Sequence, residues 1–275
     1  MITLQLETTS TCDAACGFCP YPTAERWGGL MKMDLYRKII DEAATINKFS
    51  FLNLHGLGEP LLDPKLNDRL SYARDLMPEV TRCIYTNAVH LAKRLPGLID
   101  AGLNRVVISL NAINAEQHEN IMKLHGKWEQ CVEGVDDSIV ATVTSPGFTV
   151  EVHAVVSESY FTLKDAEQFI ERWGNAKKSG YGLVIVEGNW AGEYESIRPF
   201  NPNERCHRAM EHIYVMYDGR ISTCCFDPTG KQIMGDLNKE TLREIYSRDP
   251  YLQFRQDHQD NKADLYPICK VCTRI

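Results

Sequence analysis

Residues 12–19 read Cys12-Asp13-Ala14-Ala15-Cys16-Gly17-Phe18-Cys19, three cysteines in eight positions, just behind a short β-rich run, Ile2–Leu6. A loop that follows a first strand and carries three thiols can hold three irons of a [4Fe–4S] cluster and leave the fourth iron open to an outside ligand. A zinc knuckle would need a fourth Cys or His nearby, and the first histidine is His55. Three unconnected buried thiols are the remaining reading.

Outward from this loop, short β-rich runs alternate with amphipathic helices. Phe51–Leu54, Arg82–Tyr85, Arg105–Leu110, Thr149–Val156 and Leu183–Val186 read as further strands, each bounded by polar or Gly/Pro residues. Leu35, Ile39, Ala43 and Ile46 follow helical spacing behind Asp34 as N-cap. Asp63-Pro64 opens a helix with Leu66, Leu70, Ala73 and Met77 on one face, and Leu91, Leu95 and Ile99 mark another that ends at Gly102. Thr162 caps a helix with Ala166, Phe169, Ile170 and Trp173 inward and Gly174 closing it. Six strands with intervening helices predict an α/β fold with a parallel sheet, doubly wound or curled into a barrel, whose chemistry sits at the C-terminal strand ends.

Beyond residue 200 the rhythm changes. Ile213–Tyr217, a turn at Asp218-Gly219 and Arg220–Thr223 predict a β-hairpin, and a short helix follows around Glu240–Ser247. The expected domains are therefore residues 1–199 and 200–275. This second unit holds Cys206, Cys224, Cys225, Cys269 and Cys272. A turn at Gly219 would draw Cys206 and Cys224 together, and the terminal Cys269-x2-Cys272 can supply two more ligands. Four thiolates would close an iron–sulfur cluster or a zinc ribbon completely. Cys83 and Cys131 fall between the groups and read as ordinary buried residues.

Composition bounds the function classes. The chain has 275 residues, 44% apolar and 24% charged, with a net charge of −7. Residues 201–275 carry as many acidic as basic side chains, so neither part offers the basic surface of a general nucleic-acid binder. Ser138–Val150, the longest stretch free of charge, contains Pro146 and Gly147 and is too short to span a membrane. The first residues lack a basic region and an apolar core, so no secretory signal is expected and the reducing cytoplasm is the expected location, where disulfides do not account for ten cysteines.

Cys12-x3-Cys16-x2-Cys19, with aromatic Phe18 before the third cysteine, resembles the signature of the radical S-adenosylmethionine (radical SAM) superfamily. The resemblance implies a full or partial (β/α)6 TIM-like barrel in which SAM binds the open iron and yields a 5′-deoxyadenosyl radical that abstracts a substrate hydrogen. Gly56-Leu57-Gly58-Glu59-Pro60 resembles the motif that holds the methionine ammonium, which assigns Gly58 and Glu59 to SAM. Thr86-Asn87, Ser109 and Asn111 resemble positions that contact its carboxylate or ribose. The strand-five glycines of the family are missing from Val152–Glu158. Cys206, Gly219 and Cys224 resemble the opening of a SPASM domain in its shortened twitch form, a hairpin plus helix with one auxiliary [4Fe–4S] cluster held by Cys206, Cys224, Cys269 and Cys272. An electron donor such as flavodoxin or ferredoxin is the implied partner.

A closed auxiliary cluster suits an electron acceptor, and small twitch proteins of this organisation resemble aminocyclitol dehydrogenases. Oxidation of a secondary alcohol on a sugar or cyclitol is the leading expectation. A base would be needed, with His55, His153, Glu187 and Arg198 in strand-end or post-strand regions. Epimerisation with Cys225 as hydrogen donor, peptide modification, and a non-catalytic zinc or iron–sulfur protein are the alternatives. With the first strand expected within the first few residues, no N-terminal peptide-recognition domain is expected, which weighs against peptide modification. Asn189-Trp190-Ala191-Gly192 is expected where the two units meet.

Overall fold

The computed structural model describes residues 2–26, 28–155, 161–174, 181–186 and 206–272. In chain order the first unit runs β1 (Ile2–Leu6), α1 (Met33–Ile46), β2 (Phe49–Asn53), α2 (Leu66–Leu76), β3 (Thr81–Thr86), α3 (Leu91–Asp100), β4 (Arg105–Ser109), α4 (Ala115–Met122), α5 (Trp128–Thr144), β5 (Thr149–Val155), α6 (Leu163–Trp173) and β6 (Tyr181–Val186). Strands β1 to β6 lie in sequence order and every neighbouring pair is parallel. The alternation inherent to a strand sorts the two faces. Leu4, Leu6, Leu52, Leu54, Ile84, Val106, Ile108, Val150 and Val152 pack with the helices in one core. The opposite, inner face carries Thr3, Phe51, Asn53, Cys83, Tyr85 and Arg105 around a cavity.

The second unit comprises α7 (His207–Glu211), β7 (His212–Val215), β8 (Arg220–Ser222), β9 (Ile233–Asp236), α8 (Leu242–Ser247), α9 (Asp249–Gln259) and α10 (Pro267–Lys270). Strand β7 pairs in parallel with β1, from Thr3–His212 to Leu6–Val215, and β8 and β9 continue antiparallel. The nine described strands thus form one sheet, β6-β5-β4-β3-β2-β1-β7-β8-β9. Because β7 occupies the free edge of β1, β6 does not close against it and the barrel is partial. Gly219 has φ +94, a left-handed conformation that glycine adopts without strain, which is what the tight β7–β8 connection requires.

Several local expectations are corrected. The cap of α1 is Lys32, not Asp34; Asp34 lies in the first turn, where a carboxylate still complements the helix dipole. Asp63 does not open α2 directly. Its Oδ1 accepts from Lys65 N at 2.8 Å, making a turn before a helix that begins at Leu66. Thr162 caps α6 in a reciprocal capping box with Asp165, but Ile170 is exposed, because only Ala166, Phe169 and Trp173 reach the core. Helices α4 and α5 occupy a stretch given no element from sequence. The second unit is also richer than a hairpin plus one helix, since α7, β9, α9 and α10 were not anticipated. No described helix is long and apolar enough to cross a membrane.

One buried ion pair binds the helical layer. Arg69 of α2 donates to Asp63 at 2.8 Å and to the Met31 carbonyl at 2.5 Å, and lies over the Tyr36 ring of α1, all without solvent exposure. Removing one partner leaves an uncompensated buried charge. Arg69→Met is therefore expected to destabilise the fold by about 3–5 kcal/mol in chemical denaturation; a loss under 1 kcal/mol would refute this account.

Candidate functional site

The three-cysteine loop sits at the C-terminal ends of the parallel strands, where β1 releases the chain. It is held from three sides. Cys12 N donates to the Tyr21 hydroxyl at 2.9 Å, Ala15 N to Met122 O at 3.1 Å and Gly17 N to Ile121 O at 3.0 Å. The last two dock the loop on the end of α4, where Cys16 Sγ meets Met122 Sδ at 3.4 Å. Leu57, Tyr21 and Ala24 form a small apolar cluster against Cys12 and Cys19, and Phe18 packs on the main core.

Burial pushes the Cys12 thiol up to about 12 and Cys19 up to about 11, and drives Cys16 well above the ordinary thiol range. Neighbouring negative charge adds to this for Cys12 and Cys16: Cys19 and Asp13 act on both, Glu59 acts on Cys12, and Cys12 acts on Cys16. Thiols so placed stay protonated until a metal binds, since metal binding is what deprotonates such groups. Among the described residues no three His, Cys, Asp or Glu side chains converge on the position of one metal ion. A [4Fe–4S] cubane takes its thiolates on separate irons, which suits three cysteines spaced along one loop. The donor set therefore fits a cluster.

Gly58 and Glu59 fasten this loop from β2. A Cβ on Gly58 would stand 2.2 Å from the Thr9 carbonyl oxygen and 2.7 Å from that of Thr11, so only glycine permits the contact. Glu59 N donates to Thr11 O at 2.8 Å. The Glu59 carboxylate is buried and accepts from Thr86 Oγ1 at 2.7 Å, Asn87 N at 2.8 Å and Leu61 N at 3.0 Å. Burial raises it to about 7 against those hydrogen bonds. Asn87 Nδ2 donates to Asp13 at 2.7 Å, and His90 meets the other Asp13 oxygen at 3.0 Å, joining the end of β3 to the cysteine loop. Gly56 lies against Glu7, whose buried carboxylate pairs with Arg26 at 3.0 Å and accepts from Leu57 N and Tyr217 N.

Asn111 has φ +54 and is fully buried. Its amide donates to Met122 Sδ at 3.2 Å and accepts from Val155 N at 2.9 Å. Asn111 is thus a junction between the β4 end, β5 and the residue that contacts Cys16. Ser109 is half-buried and paired in register with His153. His153 Nε2 lies 2.9 Å from Glu151, which Arg105 holds at 2.5 Å, and the Tyr85 ring stands edge-on to His153 at 6.0 Å. The His153 and Arg105 contacts bring Glu151 down to about 2 despite its burial. Tyr85 also packs on His55 at 4.1 Å. Gln5 completes the line, donating to His55 O at 3.1 Å and meeting His212 at 2.7 Å.

In the second unit, Asp227 organises the turn bearing Cys224 and Cys225. It accepts from Ser222 Oγ at 2.7 Å, Lys231 N at 2.8 Å and Gln232 N at 2.9 Å. Cys206 caps α7, and Cys269 lies in α10 with Cys272 N donating back to its carbonyl. Burial, then Cys225, Cys269 and Cys206, drive Cys224 well above the ordinary thiol range, so Cys206, Cys224 and Cys269 share one locality. Cys225 turns to Arg208 instead, at 3.7 Å from Nη1. Cys83 and Cys131 are buried, and Cys83 lines the inner cavity.

The sequence-derived residues thus fall into two groups, Cys12, Cys16, Cys19, Phe18, Gly58, Glu59, Asn87 and Asn111 at the strand ends and Cys206, Cys224, Cys269 and Cys272 in the second unit, with His153 and Ser109 on the inner face. Glu187, Asn189, Trp190, Gly192 and Arg198 lie outside the described residues. Glu7, Asp13, Arg26, Tyr85, Met122 and Arg208 were not singled out from sequence. For Glu7 an available signal was an acid placed directly after an apolar strand.

Two tests follow. Gly58→Ala should displace the cysteine loop, and anaerobic reconstitution should then return about half of the wild-type iron; full iron content with unchanged melting would contradict the packing. Burial brings His55 and His212 down to about 3, so both stay neutral in the folded chain at pH values where the unfolded chain is protonated. The unfolded state then binds more protons below about pH 6.5, and stability falls with falling pH. Each histidine should remove on the order of 2 kcal/mol between pH 7 and 4.5. Denaturation of His212→Gln over that range should show the shallower slope.

Residues 6–151 match the radical SAM superfamily and residues 206–273 match SPASM, an iron–sulfur cluster-binding domain. A similar curated protein is the S-adenosyl-L-methionine-dependent 2-deoxy-scyllo-inosamine dehydrogenase of Niallia circulans, 20% identical over 99% of this chain and 92% of that protein. The GTP 3′,8-cyclase of Aquifex aeolicus is 22% identical over 96% of each chain. Among solved structures, BtrN in complex with AdoMet and 2-DOIA superposes with a TM-score of 0.70 at 19% identity, covering 100% of this chain and 94% of that one. SuiB of Streptococcus suis bound to precursor peptide SuiA gives 0.70 at 14% identity, covering 92% and 66%. The chain belongs to the radical SAM superfamily, with a SAM-binding cluster in its barrel and an auxiliary iron–sulfur cluster in its SPASM region.

Proposed function

We propose that this enzyme oxidises a secondary alcohol of a small polyhydroxylated substrate, a sugar or cyclitol, to the carbonyl. Cys12, Cys16 and Cys19 hold the open cluster, Gly58, Glu59 and Asn87 bound the SAM site, and Cys206, Cys224, Cys269 and Cys272 hold the closed one. When bound, these groups supply a 5′-deoxyadenosyl radical that takes the carbinol hydrogen atom as 5′-deoxyadenosine, and an acceptor for the one electron left as the hydroxyl proton departs. Loss of one hydrogen atom, one proton and one electron converts the alcohol to the carbonyl in balance.

The observation that carries the reading is the pairing of His153 with an anionic Glu151 on the inner face of the barrel. A His153 whose Nε2–H is directed at Glu151 keeps its Nδ1 lone pair, and can accept the hydroxyl proton there. Arg105 locks Glu151, and Tyr85 bounds the ring, so the imidazole is oriented before substrate arrives. The alignment with the dehydrogenase of Niallia circulans, which spans both units, supports the same class of reaction. A GTP cyclisation is the second reading, favoured by the equally extensive alignment with the Aquifex aeolicus enzyme.

His153→Gln should lower carbonyl formation by about 10²- to 10⁴-fold, with 5′-deoxyadenosine still released from SAM under dithionite. Wild-type enzyme should hold about eight irons per chain. Undiminished product from His153→Gln would remove the assigned base, and turnover of GTP with none of any cyclitol or sugar alcohol would replace the reaction.

A further inference from the structure

At the N-terminal end of the strands the barrel interior contains a cavity of about 220 Å³. Its wall is shared by Cys83, Tyr85 and Arg105 of the barrel and by His207, Arg208 and Glu211 of α7. That helix begins directly after Cys206, so Arg208 stands on the cavity wall two residues beyond a proposed auxiliary ligand. Its Nη1 is 3.7 Å from Cys225 Sγ, and its guanidinium lies 4.8 Å from the centre of the Phe226 ring. Cys225 and Phe226 immediately follow Cys224, a second proposed ligand. A single planar cation therefore faces the cavity on one side and the sulfur-bearing turn on the other.

We propose that Arg208 is the positioning residue that raises the reduction potential of the auxiliary cluster and thereby fits it to accept an electron from the barrel side. Reduction adds one negative charge to the cluster. A fixed cation beside it stabilises the reduced form more than the oxidised one. Arginine suits the task because it stays charged at every working pH and its planar group can lie on Phe226 while its N–H faces Cys225. The inference rests on Cys206, Cys224, Cys269 and Cys272 being the ligands of the auxiliary cluster.

The test is redox potentiometry followed by EPR on the anaerobically reconstituted full-length enzyme, without substrate, alongside iron analysis. Arg208→Gln should lower the midpoint potential of the auxiliary cluster by at least a tenfold change in its one-electron equilibrium constant, about 59 mV. Arg208→Lys should keep most of the wild-type value, and neither variant should move the open cluster. If Arg208→Gln fails to hold its iron, Arg208→Met retains an apolar stem of similar reach without the charge and carries the same measurement. Eight irons with an unmoved auxiliary potential in the neutral variant overturn the role of Arg208 alone. A wild-type chain that binds only four irons overturns the ligand assignment and the role of Arg208 together. Because no substrate is present, the potentials stand whether or not the enzyme oxidises an alcohol.

Discussion

The pairing of β1 with β7 is the constraint on which the rest of the molecule depends. With β2 on one edge and β7 on the other, β1 has no edge left for β6, so the barrel stays open and the second unit starts in register with the first strand. The inner face of β1 and the residue that follows it then gather three parts of the structure. Gln5 joins His55 after β2 to His212 at the start of β7. Glu7 takes hydrogen bonds from Leu57 and Tyr217 and a salt bridge from Arg26, fixing the segment that leads into the cysteine loop. Neither cysteine group could keep its place relative to the other if this seam slipped by one residue, because a slip of one would turn these side chains to the opposite face.

Electrostatics adds a second constraint. Both cysteine groups sit where burial and neighbouring negative charge penalise thiolates. A bare chain keeps such thiols protonated, and a metal cluster that binds them displaces their protons, so cluster assembly depends on pH. Met122 and Ile121 hold the first loop through backbone carbonyls, and Asp227 holds the second through three donors, so each turn is shaped by groups other than its thiols.

Features written in a short stretch of chain were legible in the sequence. The cysteine spacing, the Gly58-Glu59 turn, the six-strand rhythm and the Asp218-Gly219 reversal all depend on near neighbours. The β9 strand escaped because four residues are too few for alternation, and its Gly235 is needed only because a Cβ there would strike Ile245. The line of Gln5, His55, Tyr85, His153 and Glu151 was not legible as a network, since its members come from separate strands and meet only when the sheet curls. Arg208 escaped for a related reason. Its value lies in what it touches on both sides, and an arginine two residues from a cysteine has no distinctive spacing.

The register of the strands gives the inner face an order along the barrel. The cysteine loop, Glu59 and Asn87 occupy the C-terminal ends, while Thr3, Cys83, Arg105 and α7 lie toward the opposite end. His153 stands between, beside Ser109 in register and two residues beyond Glu151. In the proposed reaction the hydrogen atom, the proton and the electron have different destinations, and this order provides them in different places. A proton taken by His153 is stabilised by Glu151, which Arg105 holds in place, and none of the three belongs to a cysteine group, so acid–base chemistry can be changed in this fold without touching the cysteines. The alignments with a dehydrogenase and with a GTP cyclase agree with the general rule that one scaffold hosts different chemistries through its sites.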